Sequence, residues 1–98
     1  MDSASGPPVV AVMIPTVLRN RTGNRASVSV AGSTVREVIE SLESAYPGLR
    51  FNLCYETGEL REFVNIFVGR DNVRDLDELE TPVASGTTIR ILQSVAGG

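Results

Sequence analysis

The spacing of apolar residues in the first third of the chain predicts two β-strands. Residues 9–14 form a short β-branched run that ends at Pro15, and residues 26–30 alternate small or apolar residues with serine. The polar segment 19–24 lies between them and contains Gly23, which is typical of a turn. We therefore expect the two strands to form a hairpin.

A helical spacing begins after Gly32. Thr34 and Glu37 form a T-x-x-E pattern, in which each side chain can satisfy a free backbone N–H at the start of a helix. Apolar residues then recur on one helical stripe: Val35, Val38, Ile39, Leu42 and Tyr46. The pair Pro47-Gly48 ends the pattern. This segment is predicted to be an amphipathic helix.

The second half of the chain predicts two more strands, joined by irregular segments. Residues 49–62 lose periodicity and are expected to form a loop, with at most a short strand. Residues 69–72 predict a turn, and the acidic residues 75–80 predict one helical turn that Pro82 closes.

The two later strands are predicted at residues 63–68 and 87–95. In the first of them Val64, Ile66 and Val68 share one face, and Phe63, Asn65 and Phe67 share the other. In the second, Ile89 and Ile91 lie on one face and Arg90 and Leu92 on the other. One face of each strand is therefore apolar enough to be buried.

Together these elements predict an α+β domain with a ubiquitin-like β-grasp fold, in which a mixed sheet of four to five strands packs on one helix. Such a two-layer arrangement would bury every apolar stripe. In this order of elements the first and last strands lie side by side and parallel at the centre of the sheet. We expect a disordered lead over residues 1–8, the domain over 9–94 and a flexible tail over 95–98.

The amino-acid composition excludes most catalytic mechanisms. All nine basic residues are arginine, so the chain offers no histidine as a general base and no lysine as a Schiff-base nucleophile. The one cysteine, Cys54, can form neither an internal disulfide nor a multi-thiolate metal site, and it is expected to be packed or idle. The acidic residues of segment 71–80 lack the spacing of a calcium loop. We therefore expect a protein that is not an enzyme and binds no metal.

The amino-acid composition also indicates the cellular location and the class of partner. The longest apolar run, residues 9–14, is far below the roughly 18 residues of a membrane span, and residues 1–8 lack the features of a signal peptide. The net charge is −3, and the aromatic residues are only three Phe and two Tyr. This composition argues against binding to nucleic acid. A cytoplasmic protein without a membrane partner is expected.

The C-terminal pair Gly97-Gly98 is the most distinctive short motif. Two residues without side chains fit a narrow channel and leave the α-carboxylate of Gly98 as the only reactive group. The four residues after Ser94 reach roughly 13–14 Å when extended. The pair alone is equally compatible with a frayed end or a cloning remnant.

Four segments together carry a family resemblance. They are IPTVLR at 14–19, TVREVI at 34–39, REFVNIFV at 61–68, and IRIL at 89–92 leading to VAGG at 95–98. With this element order and length, the chain from about residue 9 to 98 resembles the ubiquitin-like sulfur carriers. That family includes the small subunit of molybdopterin synthase and the thiamine-pathway carrier. The segments look closest to its actinobacterial branch, which supplies sulfur for cysteine synthesis.

The resemblance implies sulfur chemistry at Gly98. An E1-like activating enzyme would use ATP to adenylate the terminal carboxylate, and a sulfur donor would convert it to a thiocarboxylate. The carrier itself would bind no cofactor, because it holds the sulfur covalently. In cysteine synthesis the client would be a pyridoxal-phosphate enzyme, and a metal-dependent protease would release the product.

Partner binding is expected along the last strand and the tail. Leu92, Arg90 and Phe67 are predicted to face away from the helix and form the docking surface. The tail residues Val95, Ala96 and Gly97 would enter the partner's channel. The alternative for Phe67 is that it belongs to the core.

Three other functions stay open at this point. The chain could supply sulfur to a secondary metabolite or to a cofactor such as thiamine or molybdopterin. It could instead be a ubiquitin-like modifier that is joined to lysines of target proteins. A plain binding module with an inert tail is the third. The chain contains no lysine that its own activated C-terminus could acylate. The same absence is also typical of a genome that favours arginine codons.

Overall fold

The computed structural model describes residues 6–94 and contains five strands, two α-helices and three short 3₁₀ helices within them. In chain order these are β1 (Val9–Met13), a 3₁₀ helix (Thr16–Arg21), β2 (Ser27–Ala31), α1 (Val35–Ala45), α2 (Leu49–Leu53), β3 (Val64–Val68), β4 (Asp71–Asn72), two 3₁₀ helices (Val73–Asp75 and Glu78–Glu80) and β5 (Thr88–Gln93).

The strands form one mixed sheet in the order β2-β1-β5-β3-β4. At its centre β1 and β5 run parallel, with Val12 opposite Ile89, which confirms the predicted pairing of the first and last strands. β2 pairs with β1 and β3 pairs with β5, both antiparallel. The predicted hairpin of the first two strands is therefore confirmed, although its connection contains a 3₁₀ helix as well as the turn.

α1 covers one face of this sheet and supplies much of the core. Its stripe of Val35, Val38, Ile39 and Leu42 is buried, and the half-buried Tyr46 packs against the same cluster. The inward residues of the central strands, such as Val12 and Ile89, belong to this cluster. Every residue of the predicted helical stripe therefore contacts the core, as its spacing required.

The start of α1 confirms the predicted capping pattern. Thr34 Oγ1 accepts a hydrogen bond from the Glu37 N–H (3.2 Å), and the Glu37 carboxylate accepts one from the Ser33 N–H (2.8 Å), one residue before the cap. Gly32 precedes this turn, and a Cβ there would lie 2.7 Å from the backbone nitrogen of Val38. Only glycine therefore allows the chain to pass so close to the helix after the end of β2.

The prediction of a loop over residues 49–62 is wrong in its first part, so the domain has two α-helices rather than one. Leu49 and Leu53 lie one helical turn apart and are fully buried. The Glu43 carboxylate, which comes from α1, accepts hydrogen bonds from the N–H groups of Gly48 (3.0 Å) and Arg50 (2.9 Å) at the start of α2. This contact between helices compensates for the weak local helix signal.

The other predicted elements are shifted only at their ends. The acidic segment 75–80 contains one 3₁₀ turn, Glu78–Glu80, and a second 3₁₀ helix, Val73–Asp75, leads into it. The turn after β3 contains the two-residue strand β4. β3 begins one residue later than predicted. β5 ends at Gln93, and Val95 at the end of the predicted strand lies outside the described residues.

Truncation of Leu42 should destabilise the domain. Its side chain is 0% exposed between α1 and the sheet. Leu42→Ala removes that packing and leaves a cavity, so the free energy of unfolding should fall by about 2–5 kcal/mol. Urea unfolding measures this change. Ser44→Ala on the exposed face of α1 is the control, and an equal loss in both variants would contradict the burial of Leu42.

The contact between Glu43 and α2 should make stability depend on pH. The backbone N–H groups of Gly48 and Arg50 lower the pKa of Glu43 below its ordinary value. The ionised carboxylate therefore stabilises the fold above the ordinary glutamate pKa, and this contribution disappears as the pH falls through the lowered pKa.

Glu43→Gln should accordingly lower the free energy of unfolding at neutral pH. Its difference from the wild type should shrink in acid, as measured by urea unfolding at several pH values. Glu56→Gln, an exposed residue of the loop after α2, is the control and should show neither effect. A difference for Glu43→Gln that is the same at every pH would contradict this role of the carboxylate.

Candidate partner-docking site

The last described residue, Ser94, is fixed against the beginning of β3. Its N–H donates a hydrogen bond to the carbonyl oxygen of Phe63 (2.8 Å), and the preceding Gln93 lies opposite Val64 in the β3–β5 pair. The central strand β5 therefore ends at one side of the domain. Residues 95–98 follow this point and lie outside the described residues, so the predicted roles of Val95, Ala96, Gly97 and Gly98 stay predictions.

The face of the sheet opposite α1 carries the three residues predicted for docking. Arg90 and Leu92 are exposed on β5, while Ile89 and Ile91 are buried, as the alternation predicted. Arg90 lies opposite Phe67 of β3 on one side and Met13 of β1 on the other. Leu92 is 50% exposed. The structure therefore brings Leu92, Arg90 and Phe67 together, and their docking role remains a prediction.

Phe67 lies on the outer face and not in the core. Val64 and Ile66 of the same strand are buried, and Val68 packs against the core cluster. Phe67 is half-buried and is not a member of the core cluster. The face assignment from the sequence is confirmed, and the alternative of a core Phe67 is wrong.

A groove of about 520 Å³ runs beside the end of β5. Its lining comes from two segments, residues 13–17 with Arg19 on one side and residues 90–93 on the other. Val17 of the first 3₁₀ helix is 62% exposed and Met13 is 38% exposed. An apolar groove that adjoins the base of the tail can receive an apolar side chain of a protein partner.

Sequence reasoning missed Met13, Val17 and Arg19 as members of this site. Segment 19–24 was predicted as a simple turn, and the 3₁₀ helix that begins at Thr16 instead turns Val17 outward. Arg19 Nε donates to the carbonyl oxygen of Ile14 (3.0 Å), which holds the side chain against the groove. The signal that could have identified these residues is the position of IPTVLR among the family-like segments.

Charge is distributed unevenly around the groove. The residues that line it include Arg19 and Arg90 and no acidic side chain, although the whole chain has a net charge of −3. Within residues 6–94 the acidic residues lie instead on α1, in the loop 56–62 and in segment 71–80. The groove therefore offers an apolar surface with positive edges, which favours a partner surface that carries carboxylates beside an apolar side chain.

Cys54 lies apart from this site. It is buried at the end of α2, and burial raises the pKa of its thiol, which keeps it protonated. A protonated buried thiol is a poor nucleophile. The expectation of a packed cysteine is therefore confirmed.

The described residues contain neither a candidate metal cluster nor a membrane-spanning helix. Within residues 6–94 no three His, Cys, Asp or Glu side chains lie close enough to share a metal ion. None of the helices in this range has the length and apolar content needed to cross a membrane.

Comparison with known sequences adds family information to this geometry. A model of the ThiS family matches residues 12–98. The sulfur carrier protein CysO of Mycobacterium tuberculosis is 44% identical over 91 residues, which cover 91% of this chain and 98% of that protein. The match to the family model includes both segments that line the groove and the C-terminal glycines.

Solved structures share the fold. A chain in the crystal structure of the Amycolatopsis orientalis BexX/CysO complex has a TM-score of 0.85 and 43% identity, and the match covers 91% of this chain and 99% of that chain. The solution structure of small archaeal modifier protein 1 from Methanosarcina acetivorans has a TM-score of 0.78 and 31% identity, with 93% and 97% covered. These similarities confirm the predicted ubiquitin-like β-grasp fold.

Proposed function

The chain belongs to the ThiS family of ubiquitin-like sulfur carriers, and on that basis we propose that it carries sulfur as a thiocarboxylate at Gly98. The observation that carries this proposal is the family match, which runs through residue 98 and therefore includes Gly97-Gly98. The position of Ser94 supports it, because Ser94 follows a strand at the centre of the sheet and stands three residues before Gly97 in the sequence.

The chemistry of a carboxylate explains why such a carrier needs activation. Nucleophilic attack on a carboxylate would have to expel oxide, which is a poor leaving group. When the Gly98 carboxylate attacks the α-phosphorus of ATP, pyrophosphate leaves and an acyl-adenylate forms. A donor at the sulfide level then attacks the acyl carbon and expels AMP, and the product is –C(O)S⁻.

In this scheme the chain acts as a co-substrate, and its partners provide the catalysis. The sequence has no histidine or lysine, so the chain itself lacks the usual groups for general-base or Schiff-base chemistry. ATP is used by an E1-like activating enzyme, and no cofactor is bound by the carrier. The sulfur is then consumed by a client enzyme, after which Gly98 returns as a carboxylate.

Cysteine synthesis is the pathway we favour. The relatives with 44% identity are sulfur carriers named CysO, and a structural neighbour with 43% identity comes from a complex of CysO with BexX. In that pathway the client is a pyridoxal-phosphate enzyme that acts on an activated serine, and a metal-dependent protease releases cysteine from the carrier. Sulfur supply to a secondary metabolite or to a cofactor such as thiamine or molybdopterin is the alternative.

The docking surface consists of the groove together with Leu92, Arg90 and Phe67. Its support is physical: these residues are exposed or half-buried, and they adjoin the strand that leads to the tail. A partner that covers this surface would receive Val95, Ala96, Gly97 and Gly98 in a channel. The four residues reach roughly 13–14 Å from Ser94, which is enough to enter an enzyme pocket.

A second candidate function is that of a protein modifier. The likeness to small archaeal modifier protein 1, at 31% identity, favours it, and the two functions share the same acyl-adenylate. Because the chain contains no lysine, an attached copy could not be extended through a lysine of its own. Any modification would therefore add single units, apart from linkage to the terminal amine.

Mass spectrometry of the intact chain from its native host tests the carrier function. Replacement of one oxygen of Gly98 by sulfur should raise the mass by about 16 Da. A chain that lacks Gly97-Gly98 is the control and should show no gain. A Gly98 isopeptide on lysines of other proteins, without a thiocarboxylate, would contradict the carrier function and establish the modifier.

The docking surface is tested by Leu92→Asp, which places a charge on the exposed apolar position nearest the tail. The rate constant kcat/KM for sulfur loading by the host's activating enzyme should fall by about ten- to a hundredfold, because an anchor of the interface is lost. Ser29→Asp is the matched control, since it adds the same charge on the outward side of β2. Equal losses in both variants would exclude a local docking role for Leu92.

A further inference from the structure

The turn over residues 61–64 supports the hydrogen bond of Ser94, the last residue that the structure describes. The Val64 N–H donates to the carbonyl oxygen of Arg61 (3.0 Å), which closes the turn. Between these two residues, the carbonyl oxygen of Phe63 accepts from the Ser94 N–H (2.8 Å). The hydrogen bond that holds Ser94 therefore depends on the position of this turn.

One side chain from another part of the chain holds the turn. Arg74 Nη2 donates to the carbonyl oxygens of Arg61 (2.8 Å) and Val64 (2.7 Å). These two carbonyls lie on either side of Phe63 in the sequence. Hydrogen bonds from a charged donor are stronger than those between neutral groups, and the planar guanidinium fixes their direction.

The guanidinium is itself held by a polar network on β3 and β4. Arg74 Nε donates to Asn65 Oδ1 (3.3 Å), and Asn72 Nδ2 donates to the same oxygen (3.1 Å). Asn72 Oδ1 in turn accepts from the Arg74 backbone N–H (3.0 Å). The adjacent Val73 is fully buried and anchors the 3₁₀ helix that carries Arg74.

From these contacts we propose that Arg74 is a positioning residue, which fixes the point where residues 95–98 leave the domain. Without it the turn would open more often, and the hydrogen bond between Ser94 and Phe63 would open with it. The segment that a partner must receive would then lengthen by at least one residue, or roughly 3.3–3.6 Å.

The anchoring of Ser94 by Arg74 does not depend on the proposed function. The consequence of this anchoring for sulfur transfer does rest on the proposed function. A reactive end that starts from a fixed point has a higher effective concentration in the partner's pocket. A shift of one residue length moves Gly98 out of the position from which its carboxylate can attack ATP. Arg74 therefore acts on the reaction only through Ser94.

Amide hydrogen exchange, followed residue by residue by NMR, tests the anchoring. In Arg74→Met the Ser94 amide should exchange about five- to tenfold faster than in the wild type, a change of the size expected when a typical hydrogen bond is lost. The Val12 amide at the centre of the sheet is the internal reference and should keep its rate. Arg74→Lys keeps the charge without the planar fork, and it should restore part of the protection.

Arg70→Met is the matched control, because it removes the same charge from the exposed turn between β3 and β4. Equal exchange of Ser94 in Arg70→Met and Arg74→Met would overturn the proposal. So would a parallel rise at Ser94 and Val12, which indicates a general loss of stability. If Arg74→Met does not fold, the same comparison is made with Arg74→Lys, for which an unchanged Ser94 rate would also overturn it.

The exchange measurement and the mass measurement separate the two proposals. Faster exchange at Ser94 in a protein that never gains sulfur supports the anchor and contradicts the carrier function. A chain that gains sulfur but shows no response of Ser94 to Arg74→Met supports the carrier function and overturns the anchor.

Discussion

The parallel pairing of β1 with β5 is the interaction on which the rest of the structure depends. It places the last strand between β1 and β3, so that the strand is hydrogen-bonded on both sides. The same pairing buries Val12 and Ile89 beneath α1. An edge strand in this place would separate easily from the sheet, and the residues that follow it would have no fixed origin. The central position of β5 thus stabilises the core and also fixes the point from which the end of the chain continues.

Most of the fold could be predicted from the sequence, because its signals are local. The helical stripe of α1 and the alternation in β5 follow directly from residues three, four or two positions apart. α2 could not be predicted, because its first turn is stabilised by the Glu43 carboxylate from another helix. The role of Arg74 could not be predicted for the same reason, since its hydrogen bonds to the carbonyl oxygens of Arg61 and Val64 span 13 and 10 residues.

The candidate site was predictable only in part. The outward positions of β5 follow from strand alternation, so Arg90 and Leu92 could be assigned to the outer face before the structure was known. The opposite wall of the groove depends on how the 3₁₀ helix after β1 turns, and Val17 gave no periodic signal. The charge pattern of the groove likewise emerges only when both walls are brought together, because arginines and carboxylates are mixed along the sequence.

The alternation of β5 also has an evolutionary consequence. Ile89 and Ile91 serve the core, whereas Arg90 and Leu92 face outward and add little to it. Substitutions at the outward positions should therefore be nearly neutral for folding, while on the proposed docking surface they would change which proteins the domain binds. After a gene duplication, one copy could then acquire a new binding partner through a few changes on a single strand. Selection on recognition and selection on stability can then proceed separately within six consecutive residues.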